Sequence, residues 1–108
     1  MNDFQYISDL NKLVTDLQPD SILSRTIHNE NGVKIILFVF ASGQALTEHT
    51  SASKAFIHVI YGKAEITVQD FSETVEPGAW FYLPADVPHS ISALTEMRML
   101  LYLFKSGD

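Results

Sequence analysis

The sequence predicts an all-β domain, a sandwich or barrel of about eight short strands behind one short N-terminal helix. Three observations carry this. From residue 21 onward, short apolar runs alternate with turn residues. Two of those runs are apolar on both faces, which requires layers packed on either side. The chain has 108 residues, 46% of them hydrophobic, enough for one domain with one core.

Residues 1–20 read as the helix. Ile7, Leu10, Leu13, Val14 and Leu17 fall on one helical stripe. Ser8 is the candidate N-cap and Pro19 stops the run. The expected division is therefore 1–20, a helix packed on the barrel, and 21–108, the barrel itself. Ser21–His28 is the first strand, and Asn29, Glu30, Asn31 and Gly32 make a turn. Val33–Ala41 follows, then a polar loop over Ser42–Ser53. Lys54–Tyr61 and Ala64–Gln69 flank a tight Gly62-Lys63 turn. Ser72–Val75 ends at Glu76-Pro77-Gly78, and Ala79–Leu83 leads into a loop with Pro84 and Pro88. His89–Leu94 and Met97–Phe104 complete the strands.

Composition excludes several function classes. Thirteen acidic and seven basic residues give a net charge of −6 with no basic patch, which disfavours nucleic-acid binding. No cysteine is present, so disulfides, thiolate metal sites and cysteine nucleophiles are excluded. No apolar run has the length of a membrane span and no signal segment is visible. The expectation is a cytoplasmic protein without membrane contact.

The two doubly apolar strands carry a further expectation. Val33, Ile35, Leu37 and Val39 share one face of Val33–Ala41, and Ile36, Phe38 and Phe40 the other. In Met97–Phe104 the faces are Met97, Met99, Leu101 and Leu103 against Leu100, Tyr102 and Phe104. Either the N-terminal helix covers the outer faces or a second copy does, and a homodimer is the preferred reading.

The chemistry-bearing residues are histidines at loop–strand junctions. His49 sits in Gly43-Gln44-Ala45-Leu46-Thr47-Glu48-His49-Thr50-Ser51, and His89 follows Pro84-Ala85-Asp86-Val87-Pro88. Gly43 to Gly62 resembles the first motif of the cupin superfamily: glycine, five residues, His-x-His, three or four residues, Glu, six residues, glycine. Gly78 to Ala93 resembles the second: glycine, five residues, Pro-x-Gly, two residues, His, three residues, Asn. The resemblance implies a small single-domain cupin, a double-stranded β-helix or jelly-roll barrel. It also implies a metal held by two histidines and a glutamate of the first motif and a histidine of the second.

Only His49 and His89 keep those ligand positions. Ser51 replaces the second histidine and Ala55 the glutamate; Asp86 stands at the motif glycine and Ala93 at the asparagine. Two histidines fall short of the usual set for iron or zinc, so a metal-free pocket is favoured over a degenerate site for Fe, Mn, Ni, Cu or Zn. His58 points to the opposite face from Ala55, with Phe56 and Ile60. The expected pocket is lined by His49, Ser51, Ala55, Ile57, Val59, Tyr61, Tyr82, His89, Ile91 and Met99, with Trp80 or Phe81 beside them. It is apolar, with a few orienting polar groups, as small-molecule sites are. Arg25, Glu73 and Glu76 read as surface charges.

Three functions follow as expectations. The first is a small-molecule-binding cupin, with or without a divalent metal. The second is a metal-dependent cupin enzyme of dioxygenase or isomerase type using His49 and His89. The third is a non-catalytic dimeric interaction or storage-like protein.

Overall fold

The computed structural model describes residues 4–105. Nine strands are present among them: β1 (Ile22–Glu30), β2 (Val33–Phe40), β3 (Ala45–His49), β4 (Lys54–Tyr61), β5 (Ala64–Val68), β6 (Phe71–Val75), β7 (Trp80–Leu83), β8 (His89–Ala93) and β9 (Met97–Phe104). They form a five-stranded sheet, β1-β2-β9-β4-β7, and a four-stranded sheet, β3-β8-β5-β6. Every pairing is antiparallel. The fold is the expected all-β jelly-roll barrel. No helix among the described residues is long and apolar enough to cross a membrane.

The interior lies between the two sheets. Phe40, Ile57, Val59, Ile66, Met97 and Met99 fill it, each at most 1% exposed. The inward face of β2 is thus Phe38 and Phe40, and that of β9 is Met97, Met99, Leu101 and Leu103. β1 and β2 are joined by Asn31-Gly32, both at positive φ (56° and 81°), the backbone that closes a two-residue hairpin. This turn is shorter than the expected Asn29–Gly32, and β1 runs on to Glu30. The expected loop over Ser42–Ser53 contains a strand, β3, whose exposed pattern hid it from hydropathy.

The N-terminal helix is not formed. One turn of 3-10 helix, Leu10–Lys12, is capped by Asp9 rather than Ser8. The apolar residues still reach the sheet. Val14 packs with Leu37, Val39 and Leu100, and Leu10, Leu13 and Leu17 border the same cluster. Leu37 and Val39 are completely buried. Burial of such a side chain contributes about 1.5–3 kcal/mol. Helix propensity differences among Asn11, Thr15 and Asp16 are well under about 1 kcal/mol each, so packing decides the path. Arg98 fixes it. The Arg98 guanidinium, 9% exposed, donates to the Asn11 carbonyl and to Glu96 Oε2 (3.0 and 3.2 Å), with Tyr61 stacked 5.7 Å away. That carbonyl would be the acceptor for residue 15 in an α-helix; here it is taken.

Residues 4–20 are therefore a strap across the outer face of β2 and β9. Arg98→Ala should release it and lower stability by about 2–3 kcal/mol, since charged hydrogen bonds to a buried arginine are lost. Urea denaturation measures the loss, and limited proteolysis should cut within residues 4–20 of the variant well before the wild type is cut.

Candidate functional site

Strand register brings His49 and His89 side by side. They are cross-strand partners of β3 and β8, on the inward face of the four-stranded sheet at one end of the barrel. Their ring centroids lie 4.3 Å apart with planes inclined at 60°. His89 is buried, 6% exposed, and His49 is exposed. A break in register between Leu46 and His49 turns the end of β3 so that His49 meets His89.

Both rings are anchored alike. Nδ1 of His49 bonds the Thr47 carbonyl at 2.8 Å, and Nδ1 of His89 bonds the Val87 carbonyl at 2.9 Å. A carbonyl oxygen only accepts, so Nδ1 carries the proton in each neutral ring. Nε2 is then left with its lone pair free. The loops that carry the two rings are tied together: the Asp86 N–H donates to the Ser51 carbonyl at 2.8 Å. Asp86 takes φ 65° at the motif's glycine position, a conformation that Asp tolerates.

The other expected site residues separate into groups. Ala55, Ile57, Val59, Ile91 and Met99 face inward and are at most 2% exposed, packed into the core beneath the histidines. Ser51 is half-buried and its Oγ accepts the Ser53 N–H at 3.1 Å. Two tyrosines lie elsewhere than expected. The β4–β9 register shifts between Val59 and Tyr61, which turns Tyr61 onto the outer face beneath Arg98. Tyr82 pairs with Phe56 and stacks on it at 5.2 Å, so it is also outward; Phe81 and Leu83 are the inward residues of β7. His58 is outward, as its parity requires, paired with Leu100 and Trp80.

Two residues, Val68 and Phe71, join the site that the sequence did not place there, and Phe81 rather than Trp80 is the β7 residue beside them. Phe71, Val68, His89 and His49 are successive partners across β6, β5, β8 and β3, so their side chains form one row on the inward face. Phe81 of the opposite sheet meets Phe71 edge-on at 6.4 Å. Two imidazoles thus sit at the end of a row with an apolar wall. Pairing Val68 with Phe71 across the Gln69-Asp70 turn would have found this row.

The residues do not fit a cation held by protein alone. Among the described residues no group of three or more His, Asp or Glu side chains gathers closely enough to hold a metal ion. The two remaining motif positions carry a serine whose oxygen is already engaged and an alanine. At the four motif positions, two imidazole nitrogens are the donors left free for a cation.

The comparisons with known proteins agree with this architecture. The sequence profile described as "Cupin domain" matches residues 36–104. Oxalate decarboxylase OxdC of Bacillus subtilis (strain 168) is 34% identical over 65 residues, which are 56% of this chain and 17% of that enzyme's length. The chain therefore spans about a sixth of the curated relative it matches. Among solved structures, a cupin superfamily protein of Desulfitobacterium hafniense DCB-2 superposes with a TM-score of 0.83 at 25% identity, over 90% of this chain and 88% of that one. The conserved SPY1581 protein of Streptococcus pyogenes, of unknown function, gives 0.85 at 29% identity over 99% and 93%. The matched profile covers more than half of the chain, both glycine-framed motifs, and the strands that carry His49 and His89: the chain belongs to the cupin family.

Proposed function

We propose that this cupin binds a small, hydrogen-bond-donating molecule at the barrel mouth, between His49 and His89 and the apolar wall of Val68, Phe71 and Phe81. The observation that carries this reading is the matched anchoring of the two rings. With both Nδ1–H groups held by carbonyls, each neutral ring keeps its Nε2 as an acceptor, and the two rings lie 4.3 Å apart between centroids. Such a pair suits a diol, an amine or another group with two donors, and it offers a carboxylate nothing while the rings are neutral. A divalent ion would find the same two nitrogens and would have to take its remaining ligands from water or from the bound molecule.

The second reading is a metal-dependent enzyme, favoured by the 34% identity to oxalate decarboxylase over 65 residues. It needs an ion completed in that way.

Elemental analysis of untagged protein separates the two, run on the wild type, His49→Ala and His89→Ala. The binding reading expects well under one metal per chain. It also expects a thermal-shift screen in which polyols or amines stabilise the wild type and neither variant. About one metal per chain, lost in both variants, would overturn it in favour of the enzyme.

A further inference from the structure

We propose that Lys34 receives a carboxylate of the molecule bound at the mouth, so that the ligand is a small hydroxylated acid, an assignment that rests on the binding reading of the histidine pair. The hydroxyls meet the two imidazoles at one end and the carboxylate meets the ammonium at the other.

Strand register places Lys34 on the inner face of the barrel. Lys34, Ile36, Phe38 and Phe40 of β2 pair without a break with Leu103, Leu101, Met99 and Met97 of β9, and those β9 residues face the core. The row of Ile36, Leu101, Ile57 and Phe81 is the one that meets the histidine row. Phe81 lies edge-on to Phe71, which connects through Val68 and His89 to His49. Lys34 stands one step nearer the opening, two residues or about 6.8 Å along the strand.

A cleft of about 500 Å³ opens there. Lys34 and Leu103 line it from the sheet, and Ser53 lines it from the loop that carries His49. Leu103 also packs on the core, so cleft and barrel interior share a wall. Lys34 is half-buried and forms no salt bridge among the described residues. Glu30 lines the same cleft, but it pairs with Val33 on the outward row, and its Oε1 lies 3.8 Å from His28 Nε2. Asn29, the β1 partner of Lys34, adds an amide donor, and Lys105 adds a second cation.

Charge selects the ligand class. A chain of net charge −6 repels an acid as a whole, so cations gathered beside the mouth mark where one can enter. An amine would bring a further positive charge to Lys34 and Lys105, whereas hydroxyls suit neutral imidazoles without that cost. Lys34 lies outside residues 36–104, which match the cupin profile, so the cation is an addition of this chain to the family's frame.

Calorimetric titration with gluconate, sorbitol and hexanoate separates the two ends. Gluconate should bind about 10- to 100-fold tighter than sorbitol, the range for a charge-assisted hydrogen bond. Lys34→Met should reduce that advantage to about twofold or less. Lys63→Gln removes the same charge at the opposite end of the barrel and should keep the advantage; urea denaturation checks that both variants fold. Hexanoate, with the carboxylate alone, should bind more weakly than gluconate and should also depend on Lys34. A wild type that does not prefer gluconate, or a preference that survives Lys34→Met, would overturn the Lys34 assignment. Sorbitol binding that still needs His49 would then leave the histidine reading standing. Acid binding that needs Lys34 but survives His49→Ala would uphold the cation's role and overturn the histidine reading. Failure of all three compounds to bind would overturn both.

Discussion

Replacing Gly62 by alanine should destabilise the barrel by about 4 kcal/mol, near the top of the range for single substitutions. Gly62 opens the β4–β5 turn with φ +76°, and an added Cβ would stand 1.9 Å from the Glu96 carbonyl oxygen and 2.9 Å from Thr95 Oγ1. The obstacle is backbone, and it cannot swing aside. This turn is fastened to the β8–β9 turn: the Lys63 N–H donates to Thr95 Oγ1 at 3.0 Å, and the Leu94 N–H donates to the Lys63 carbonyl at 2.9 Å. An alanine must open that junction as well as adopt a strained backbone. At roughly 4–8 °C per kcal/mol for a chain of this size, the melting temperature should fall by about 20 °C. Gly78→Ala is the control. Gly78 also has positive φ, +102°, but nothing lies within 4 Å of an added Cβ. It should lose about 1–2 kcal/mol, the conformational cost alone. Equal losses in the two variants would show that the close approach is not the cause.

The second large effect concerns the histidine pair. His49→Ala and His89→Ala should each weaken binding of a polyol or amine found by thermal shift about 10- to 100-fold, the cost of leaving one ligand donor unpaired. Their effects on folding should differ. His89 is 6% exposed and satisfies the Val87 carbonyl, so its loss should cost about 1–2 kcal/mol of stability. His49 is exposed, and its loss should stay within about 0.5 kcal/mol. Calorimetric titration beside urea denaturation reads both quantities. Equal binding losses with unequal stability losses would mark the pair as a ligand site. A binding loss that merely tracked stability would mark it as structural.

The site's frame was legible in the sequence because it depends on spacing. Gly43, Gly62 and Gly78 all take positive φ, as does Asp86 in place of a glycine, so the motif glycines mark real backbone requirements. The two histidines also fell together as their motif positions implied. What strand parity could not supply was irregular geometry. One register shift in β4 was enough to move Tyr61 to the outer face, another in β3 set His49 against His89, and β3 itself was hidden in a polar loop because nearly all of it is exposed. The N-terminal helix failed for a tertiary reason. Ile7, Leu10, Leu13, Val14 and Leu17 have helical spacing, but packing of the last four on the sheet set the path, and the Arg98 guanidinium took the Asn11 carbonyl that a helix would have used. Nothing local to residues 7–17 announces an arginine that arrives nearly ninety positions later.

The place of β9 has a consequence for how the barrel is made. It is the latest of the nine strands in the chain, yet it lies in the middle of the five-stranded sheet, paired with β2 on one side and β4 on the other. During synthesis β2 and β4 emerge long before their shared neighbour does. Each then presents a bare, apolar edge, the kind that pairs with the wrong chain. Closing the sheet also joins segments far apart in sequence, which slows folding. The interval before β9 emerges is therefore the one in which those two edges are open to mispairing, and mutations that weaken β9 should lower soluble yield as well as the melting temperature.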